Sequence, residues 1–471
     1  MAVRVRFAPS PTGPLHLGSA ATAVANYLFA RRTGGALILR IDDTDAARAE
    51  RRFEGVIEQD AEWLGLRFDE GPRIGGAHGP YRQSERGEGH ASAARGLRAR
   101  GHAYPCFCDE ERLESARRAA ADAGRAWRYD GGCDALSAVE ADRRLAAGEP
   151  ASLRFRASRA AIVIDDAARG AVRVPAGSVG DFVLLRSGGG ATYNFATAVD
   201  DAAMQITHVI RGEDHMSNTA RQLMILEALE QRPPRYGHCA LLLDADGNKL
   251  TKSRGAESIA ELRKGGYPAE AIVNYAALLV CPPPAGEEVA SLDALTAGFS
   301  LARLSSGAAR FDRARLDWVS QEHLKRLDPA DLAARVGRLL ELRGIAGYPA
   351  QIAALAQGLR GAHTLVEAAD EAERVIRRPA TPPPPESVGA LALFAELRRA
   401  RPERFLEPAE AAALLAELRE RGMEQGLPPR ELLPALRRGL TGADHGIALQ
   451  YVIAAIERKD ALARCGMMDP A

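Results

Sequence analysis

Val3-Arg-Val-Arg-Phe-Ala-Pro-Ser-Pro-Thr-Gly-Pro-Leu-His-Leu-Gly-Ser19 is the stretch on which the fold turns. Val3 to Phe7 alternates apolar and basic residues, which predicts a strand. Pro9 and Pro11 lack an amide hydrogen and hold φ fixed, so the chain leaves that strand as a stiff loop. Ser19 to Arg32 is rich in alanine, with Leu28 and Phe29, and predicts a helix. Ala36 to Ile41 follows as an apolar strand, ahead of the acidic turn Asp42-Asp-Thr-Asp45. Strand, loop, helix, strand opens a βαβ unit and predicts an α/β nucleotide fold.

A second block of this kind lies far along the chain. Ile206 to Ile210 reads as an apolar strand, Arg211-Gly-Glu-Asp-His215 as a turn, and Asn218 to Glu230 as a helix. Between the blocks, from about 85 to 190, stand a cysteine cluster, a charged helix near Glu110 to Ala121, and short strands at Ser152 to Phe155 and Ala171 to Val174. That stretch reads as an insertion into one parallel sheet. Beyond about 325, Leu and Ala recur at three-and-four spacing, as in Pro329 to Glu341 and Pro408 to Glu420, which predicts helices. Ala380-Thr-Pro-Pro-Pro-Pro-Glu386 reads as a semi-rigid spacer dividing this tail into two modules. Cys281-Pro-Pro-Pro ends a helix that begins near Ala269, and no solenoid repeat is visible. The expected fold class is therefore multi-domain α/β plus all-α: a Rossmann-type parallel sheet, an α+β insertion, and an all-helical C-terminal region.

Composition narrows the class further. At 471 residues and 46% apolar, the chain is long enough for three or more cores of ordinary size. The 62 Lys and Arg cancel the 62 Asp and Glu, which argues against nucleic-acid binding by bulk charge but leaves room for a basic face balanced by an acidic one. Apolar stretches such as Ala271 to Val280 fall short of a bilayer span, so no membrane role is expected. The N-terminus shows no apolar core followed by a cleavage site, and six unevenly placed cysteines make no disulfide framework, so the expected compartment is cytoplasmic.

Two constellations carry chemistry. Pro14 to Ser19 sets His16, Gly18 and Ser19 at a helix start, where free amide donors and a partial positive charge suit phosphate. His16 can donate to phosphoryl oxygens as they gain charge, although a histidine at a helix start is more often a satisfied surface or core residue. Asp244-Ala-Asp-Gly-Asn-Lys-Leu-Thr-Lys-Ser-Arg-Gly255 carries Lys249, Lys252 and Arg254 on a turn-rich loop. Such lysines can close over a triphosphate; read alone, the segment is equally a solvated turn.

Together the two segments resemble the signatures of class I aminoacyl-tRNA synthetases, His16 to Ser19 for the first and Lys249 to Ser253 for the second. Arg6 to Gly13, Arg40-Ile-Asp-Asp-Thr-Asp45, Gln83-Ser-Glu-Arg86 and Val209 to His215 are similar to motifs of the bacterial-type glutamyl-tRNA synthetase family, and the likeness runs on to Leu433–Gly446. It implies ATP- and Mg2+-dependent activation of L-glutamate to glutamyl-adenylate, followed by transfer to the 3′ end of tRNA(Glu), with tRNA(Gln) as a further substrate in a non-discriminating enzyme. His16, Ser19, Lys249 and Lys252 would serve catalysis. Arg6 and Arg211 match the arginines that read carboxylates, and Ala8, Ser10, Asp42, Tyr193 and Thr197 fall on the amino-acid pocket. Gly18, Asp214, Leu242 and Lys252 fall on the ATP side. Without the likeness, Ser10 is a turn residue and Tyr193 a core aromatic.

The likeness also marks departures. Asp42 stands where the family commonly has glutamate facing the α-ammonium, so either the backbone sits closer or a water bridges, and weaker amino-acid affinity is an expected consequence. Thr197 replaces an amide residue. Cys106, Cys108, Cys133 and Tyr129 read either as a zinc knuckle bracing the insertion or as free thiols in a reduced compartment, and Ala135 stands where some members place a histidine. The implied plan is 1–84 and 191–235 for the two sheet halves, 85–190 for the insertion that receives the tRNA acceptor end, 236–325 for a stem-contact region, and 326–380 and 381–471 for anticodon modules. Arg377-Arg378, Arg398-Arg399 and Arg437-Arg438 are candidate anticodon contacts or solvated helix faces. A monomer is expected. Four rivals are a tRNA-nucleoside glutamate transferase, a glutaminyl-tRNA synthetase, a catalytically silent tRNA-binding paralogue and a nucleotidyltransferase that uses no tRNA. The first lacks a helical tail, the second has a β-barrel there, the third sits poorly with His16, Lys249 and Lys252, and the fourth leaves the tail unexplained.

Overall fold

A computed structural model describes residues 2–45, 50–244, 246–248, 257–283, 286–347 and 349–467. The chain divides into two units, Met1–Ala260 with Val273–Asp312, and Glu261–Ile272 with Arg313–Ala471. The stretch 236–325, read from the sequence as one region, is thus shared between them.

The first unit opens with β1 (Arg4–Phe7), α1 (Leu17–Thr33) and β2 (Ala36–Leu39), the βαβ start that the opening residues predict. β1 and β2 pair in parallel, Arg4 opposite Ala36 and Phe7 opposite Leu39. After α2 (Arg51–Trp63) and α3 (Gly87–Ala99), β3 (Ala103–Cys106) leads into α4 (Glu110–Asp122), α5 (Ala138–Ala146), β4 (Ser152–Phe155), β5 (Ile162–Asp166), β6 (Gly170–Val174) and β7 (Phe182–Leu185). The second half follows as α6 (Tyr193–Ala203), β8 (His208–Gly212), α7 (Met216–Ala228) and β9 (Arg235–Cys239). β8 and β9 pair in parallel, Arg211 opposite His238.

β1 and β8 meet near their starts, where Thr207 N–H donates to Arg4 C=O at 2.9 Å. Further along, the Ile210 carbonyl accepts instead from buried Asn26 on α1, at 3.0 Å. The two strands fall in separate sheets. Chain order runs from β1 toward β2 on one side and from β8 toward β9 on the other, so the gap is a topological switch point, where α/β sheets place their ligands.

The insertion is less uniform than its sequence implied. β3, β4 and β7 form an antiparallel sheet of their own. The β5–β6 hairpin instead returns to the parallel sheet, Asp166 pairing with Tyr236 of β9. This return carries Asp166 under the switch point.

The second unit is helical, as the three-and-four spacing predicts. Its helices start on strong local signals: Asp328 caps Pro329–Leu342, Thr364 caps Leu365–Ile376, and Glu407 with Glu410 forms a reciprocal box on Pro408–Glu424. One buried apolar cluster runs from Leu324 to Ala461 and takes residues from both sides of the proline run 380–386. The run therefore links helices that share a single core, and the expected boundary between two modules is not there. Arg398 is fully buried, donating to the carbonyls of Arg401, Glu403 and Arg404, which removes it from the candidate anticodon contacts. Arg378 pairs with Asp460, Arg377 with Glu373, and Arg438 with Asp444. Among the described residues no helix is long and apolar enough to cross a membrane.

Candidate active site

A cavity of about 490 Å3 opens at the switch point. Arg6, Ala8 and Ser10 from the end of β1, His16, Gly18 and Ser19 from the start of α1, Asp42, Tyr193, Arg211, Asp214 and Leu242 all line it. Thr197, one turn beyond Tyr193 on α6, does not: it is fully buried, and its Oγ1 has no hydrogen-bond partner. Lys249 and Lys252 lie outside the described residues. The chain on either side of them is anchored here, Leu242 on the cavity wall and Glu257 to Ile259 hydrogen-bonded to Leu15 and Leu17.

The stiff loop after β1 is placed by backbone bonds. Arg40 N–H donates to Phe7 C=O and Asp42 N–H to Pro9 C=O, each at 3.0 Å, which sets Ala8 to Ser10 against Asp42. His16 is the N-cap of α1: its Nδ1 accepts from Ser19 N–H at 3.3 Å, and its Nε2 lies 3.0 Å from Ser19 Oγ. A Cβ on Gly18 would stand 3.4 Å from the imidazole ring, so the glycine leaves the ring its place at the helix start. At the end of β8, a Cβ on Gly212 would stand 2.6 Å from Asp214 Oδ1, so this glycine admits the carboxylate over the backbone. Glu213 fixes the same turn from outside by accepting from Leu241 N–H and pairing with Arg169.

The floor is a buried charge network. Asp201 on α6 accepts from Arg6 Nε at 3.2 Å and from Arg40 Nη1 at 2.5 Å. Arg40, with no exposed surface, also chelates Asp42 at 2.7 and 3.3 Å. Burial pushes the Asp42 carboxyl above its ordinary value against the pull of Arg40. Burial pushes Asp201 the same way, but the Arg6 and Arg40 guanidiniums reverse it and hold this carboxyl below its ordinary value. The shorter side chain at position 42 is thus drawn onto Arg40 while it still faces the cavity.

Arg211 completes the wall. Its Nη2 donates to Thr219 Oγ1 at 2.6 Å and its Nε to His238 Nε2 at 3.4 Å. Its Nη1 is buried without a hydrogen-bond partner. A buried guanidinium nitrogen left unpaired costs free energy that a carboxylate ligand would restore. Arg6 and Arg40 are paired with Asp201 and Asp42, whereas the hydrogen bonds of Arg211 go to Thr219 and His238 and to no carboxylate, the buried Asp166 standing one residue further back on His238. Arg211 therefore has a place for a ligand carboxylate at Nη1. Opposite, Tyr193 Oη lies 3.1 Å from His215 Nδ1, and the His215 imidazole is pushed down to about 4, chiefly by burial.

Arg40, Asp201, His215, Thr219 and His238 carry roles that the motifs did not assign. Asp201 had a signal: two adjacent carboxylates within the apolar helix Tyr193-Asn-Phe-Ala-Thr-Ala-Val-Asp-Asp-Ala-Ala203 must either break it or find buried cations.

In the insertion, the Cys106, Cys108 and Cys133 sulfurs lie within 4.8 Å of one another, Cys108 and Cys133 at 3.6 Å. Tyr129 Oη stands 3.4 Å from the Cys106 sulfur and 3.3 Å from that of Cys108. Ligand sulfurs about 2.3 Å from a tetrahedral zinc are about 3.8 Å apart, so the donor set fits that ion. Burial pushes the thiols up. Tyr129 and the nearby Arg154 bring Cys106 down to about 7, whereas Cys108 stays up at about 11.

Residues 2–318 match the family described as tRNA synthetases class I (E and Q), catalytic domain. The glutamate–tRNA ligase of Heliobacterium modesticaldum is 47% identical over 333 residues, 70% of this chain and 67% of that one. Glutamate–tRNA ligase 1 of Pseudothermotoga lettingae is 46% identical over 341 residues, 72% and 73% of the two chains. The solved structure of a glutamate tRNA ligase from Elizabethkingia meningosepticum, in complex with its amino acid, superposes with a TM-score of 0.88 at 28% identity, covering 99% of both chains. The family match and the solved structure span the elements that build the cleft, and with relatives at 46–47% identity the chain belongs to the glutamate–tRNA ligases of the class I tRNA synthetases.

Proposed function

We propose that the cleft binds L-glutamate with ATP and Mg2+, forms glutamyl-adenylate, and passes the glutamyl group to the terminal adenosine of tRNA(Glu). The observation that carries this reading is the buried Arg211, whose Nη1 is unpaired and whose other bonds go to no carboxylate. A carboxylate of glutamate supplies the missing anion. Glutamine leaves a buried guanidinium without its anion, a mismatch that hydrogen-bonding sites reject strongly.

The reaction needs no protein nucleophile. The α-carboxylate oxygen attacks the α-phosphorus, the bond to the β-phosphate oxygen breaks, and pyrophosphate leaves with the electron pair. A ribose hydroxyl of the tRNA's terminal adenosine then attacks the glutamyl carbonyl and gives up its proton, the bond from that carbon to the phosphate oxygen breaks, and AMP departs with the electron pair. Positioning and charge stabilisation do the catalysis. The α1 amides and His16 face the phosphates, Asp214 and Leu242 the nucleoside, and Arg6 and Arg211 the amino acid. Lys249 and Lys252 neutralise the pentavalent phosphorus; the anchoring of their flanks at Leu15 to Leu17 supports that assignment. Magnesium enters with the nucleotide, held by its phosphates.

Zn2+ would be held by Cys106, Cys108, Cys133 and Tyr129, where it braces the insertion that receives the acceptor end. The helical unit reads the anticodon through exposed arginines such as Arg399 and Arg377, working in a cytoplasmic monomer. Charging of purified tRNA(Glu) and tRNA(Gln) with labelled glutamate, with Lys252→Ala as control, tests the reading. Glutamate on tRNA(Glu) supports it, glutamate on both makes the enzyme non-discriminating, and no charging by the wild type refutes it.

A further inference from the structure

Below Arg211 lies a chain of buried groups to which the reaction gives no role. Asp166 ends β5, the strand that returns from the insertion to the parallel sheet. Its Oδ1 accepts from the amides of Ala168 and Arg169, at 3.0 and 3.1 Å. Its Oδ2 accepts from His238 N–H at 3.1 Å and faces His238 Nδ1 at 2.6 Å. Neither side chain of this pair has any exposed surface. A carboxylate surrounded by donors fixes the imidazole tautomer: the proton sits on Nδ1, and Nε2 is left as an acceptor. Thr219 Oγ1 stands 3.0 Å from that Nε2 and 3.3 Å from the His215 carbonyl, so its hydroxyl hydrogen is drawn away from Arg211. Placed on the nearer acceptor, Nε2, that hydrogen leaves a lone pair of Thr219 for Arg211 Nη2, and Arg211 Nε, 3.4 Å from Nε2, shares the same nitrogen weakly. Every bond in the series Arg211, Thr219, His238, Asp166 points its hydrogen the same way, and the series ends on a fixed charge.

We propose that Asp166, His238 and Thr219 are positioning residues that lock the Arg211 guanidinium with Nη1 aimed at the amino-acid carboxylate, and so set glutamate affinity without touching substrate. The relay rests on the reading that Arg211 binds glutamate. It explains why the hairpin of the insertion returns to the sheet: the fixed charge it delivers holds the specificity arginine.

Steady-state charging of tRNA(Glu) by the full chain tests it. Thr219→Val removes the acceptor and should raise the glutamate KM roughly tenfold, with the ATP KM within about twofold. Thr219→Ser keeps the oxygen and should restore the wild-type value. Asp166→Asn turns an amide nitrogen toward an N–H donor; if it faces His238 Nδ1, it shifts the imidazole proton to Nε2, against Arg211, and should raise the same KM. On one relay the double variant Asp166→Asn with Thr219→Val should be no worse than the weaker single variant by more than about twofold. Unchanged glutamate KM in Thr219→Val, no rescue by serine, or equal losses for glutamate and ATP would overturn the relay, as would multiplicative effects in the double variant. Should Asp166→Asn fail to fold, the threonine pair decides alone. A wild type that does not charge glutamate condemns the reading of the cleft; a charging wild type with indifferent variants condemns the relay only.

Discussion

Arg211 has two nitrogens committed to the protein and one left for a ligand. A lysine ammonium cannot reach Thr219, His238 and a carboxylate at once, so Arg211→Lys should raise the glutamate KM by about 10- to 100-fold, the worth of one or two charged hydrogen bonds. Asp201 holds Arg6 and Arg40 together, and Asp201→Asn leaves buried cations underpaired; chemical denaturation should show a loss of about 3 kcal/mol. His215 supplies a pH signature. Burial chiefly lowers its imidazole from 6.5 to about 4, so the folded chain keeps it neutral where the unfolded chain takes up a proton. The stability this contributes is full above pH 6.5 and falls as the pH drops from there toward 4. NMR titration should place the His215 ring near 4, and a midpoint near 6.5 would contradict the desolvation of this half-buried ring beside Tyr193.

At the scale of elements, the two strand ends of the cleft depend on glycines. Gly212→Ala sets a methyl 2.6 Å from the Asp214 carboxylate, so that side chain must move, and the ATP KM should rise severalfold with the glutamate KM less affected. Gly18→Ala sets a methyl at ordinary contact distance, 3.4 Å, from the His16 ring and on the cavity wall where the phosphates are proposed to lie, and should lower kcat. In the insertion, metal analysis of the purified chain should find one zinc per molecule, lost in Cys108→Ser; a metal-free, fully active wild type would return the cluster to three thiols. The strand-loop-helix start and the Arg211 turn were legible in the sequence, because proline, glycine and apolar period act locally. The pairing of Arg6 with Asp201 was not, because it joins residues 195 apart. Nor was the β5–β6 return: strand residues show which face is apolar but not which sheet edge they will meet.

Across the whole molecule, the same division between local and distant information recurs. The tail helices were legible from their Leu and Ala spacing, and they start on the local caps Asp328, Thr364 and Glu407, whereas the proline run read as a boundary and links helices that share one core. Arg398 looked like a surface cation and is instead buried, tying down the loop that follows its helix by donating to the carbonyls of Arg401, Glu403 and Arg404. Packing there is tight: a Cβ on Gly439 would meet Leu391 at 2.7 Å, and Gly439→Ala should cost the helical unit about 1–3 kcal/mol in a denaturation experiment. What unites the fold with its chemistry is the cleft between β1 and β8, whose wall holds the buried Arg211 without a carboxylate partner. Competition between glutamate and glutamine in charging purified tRNA(Glu), read as the ratio of kcat/KM, tests that claim most directly. The unpaired Arg211 requires a preference for glutamate of about 1,000-fold or more; glutamine charged within about tenfold of glutamate would contradict it.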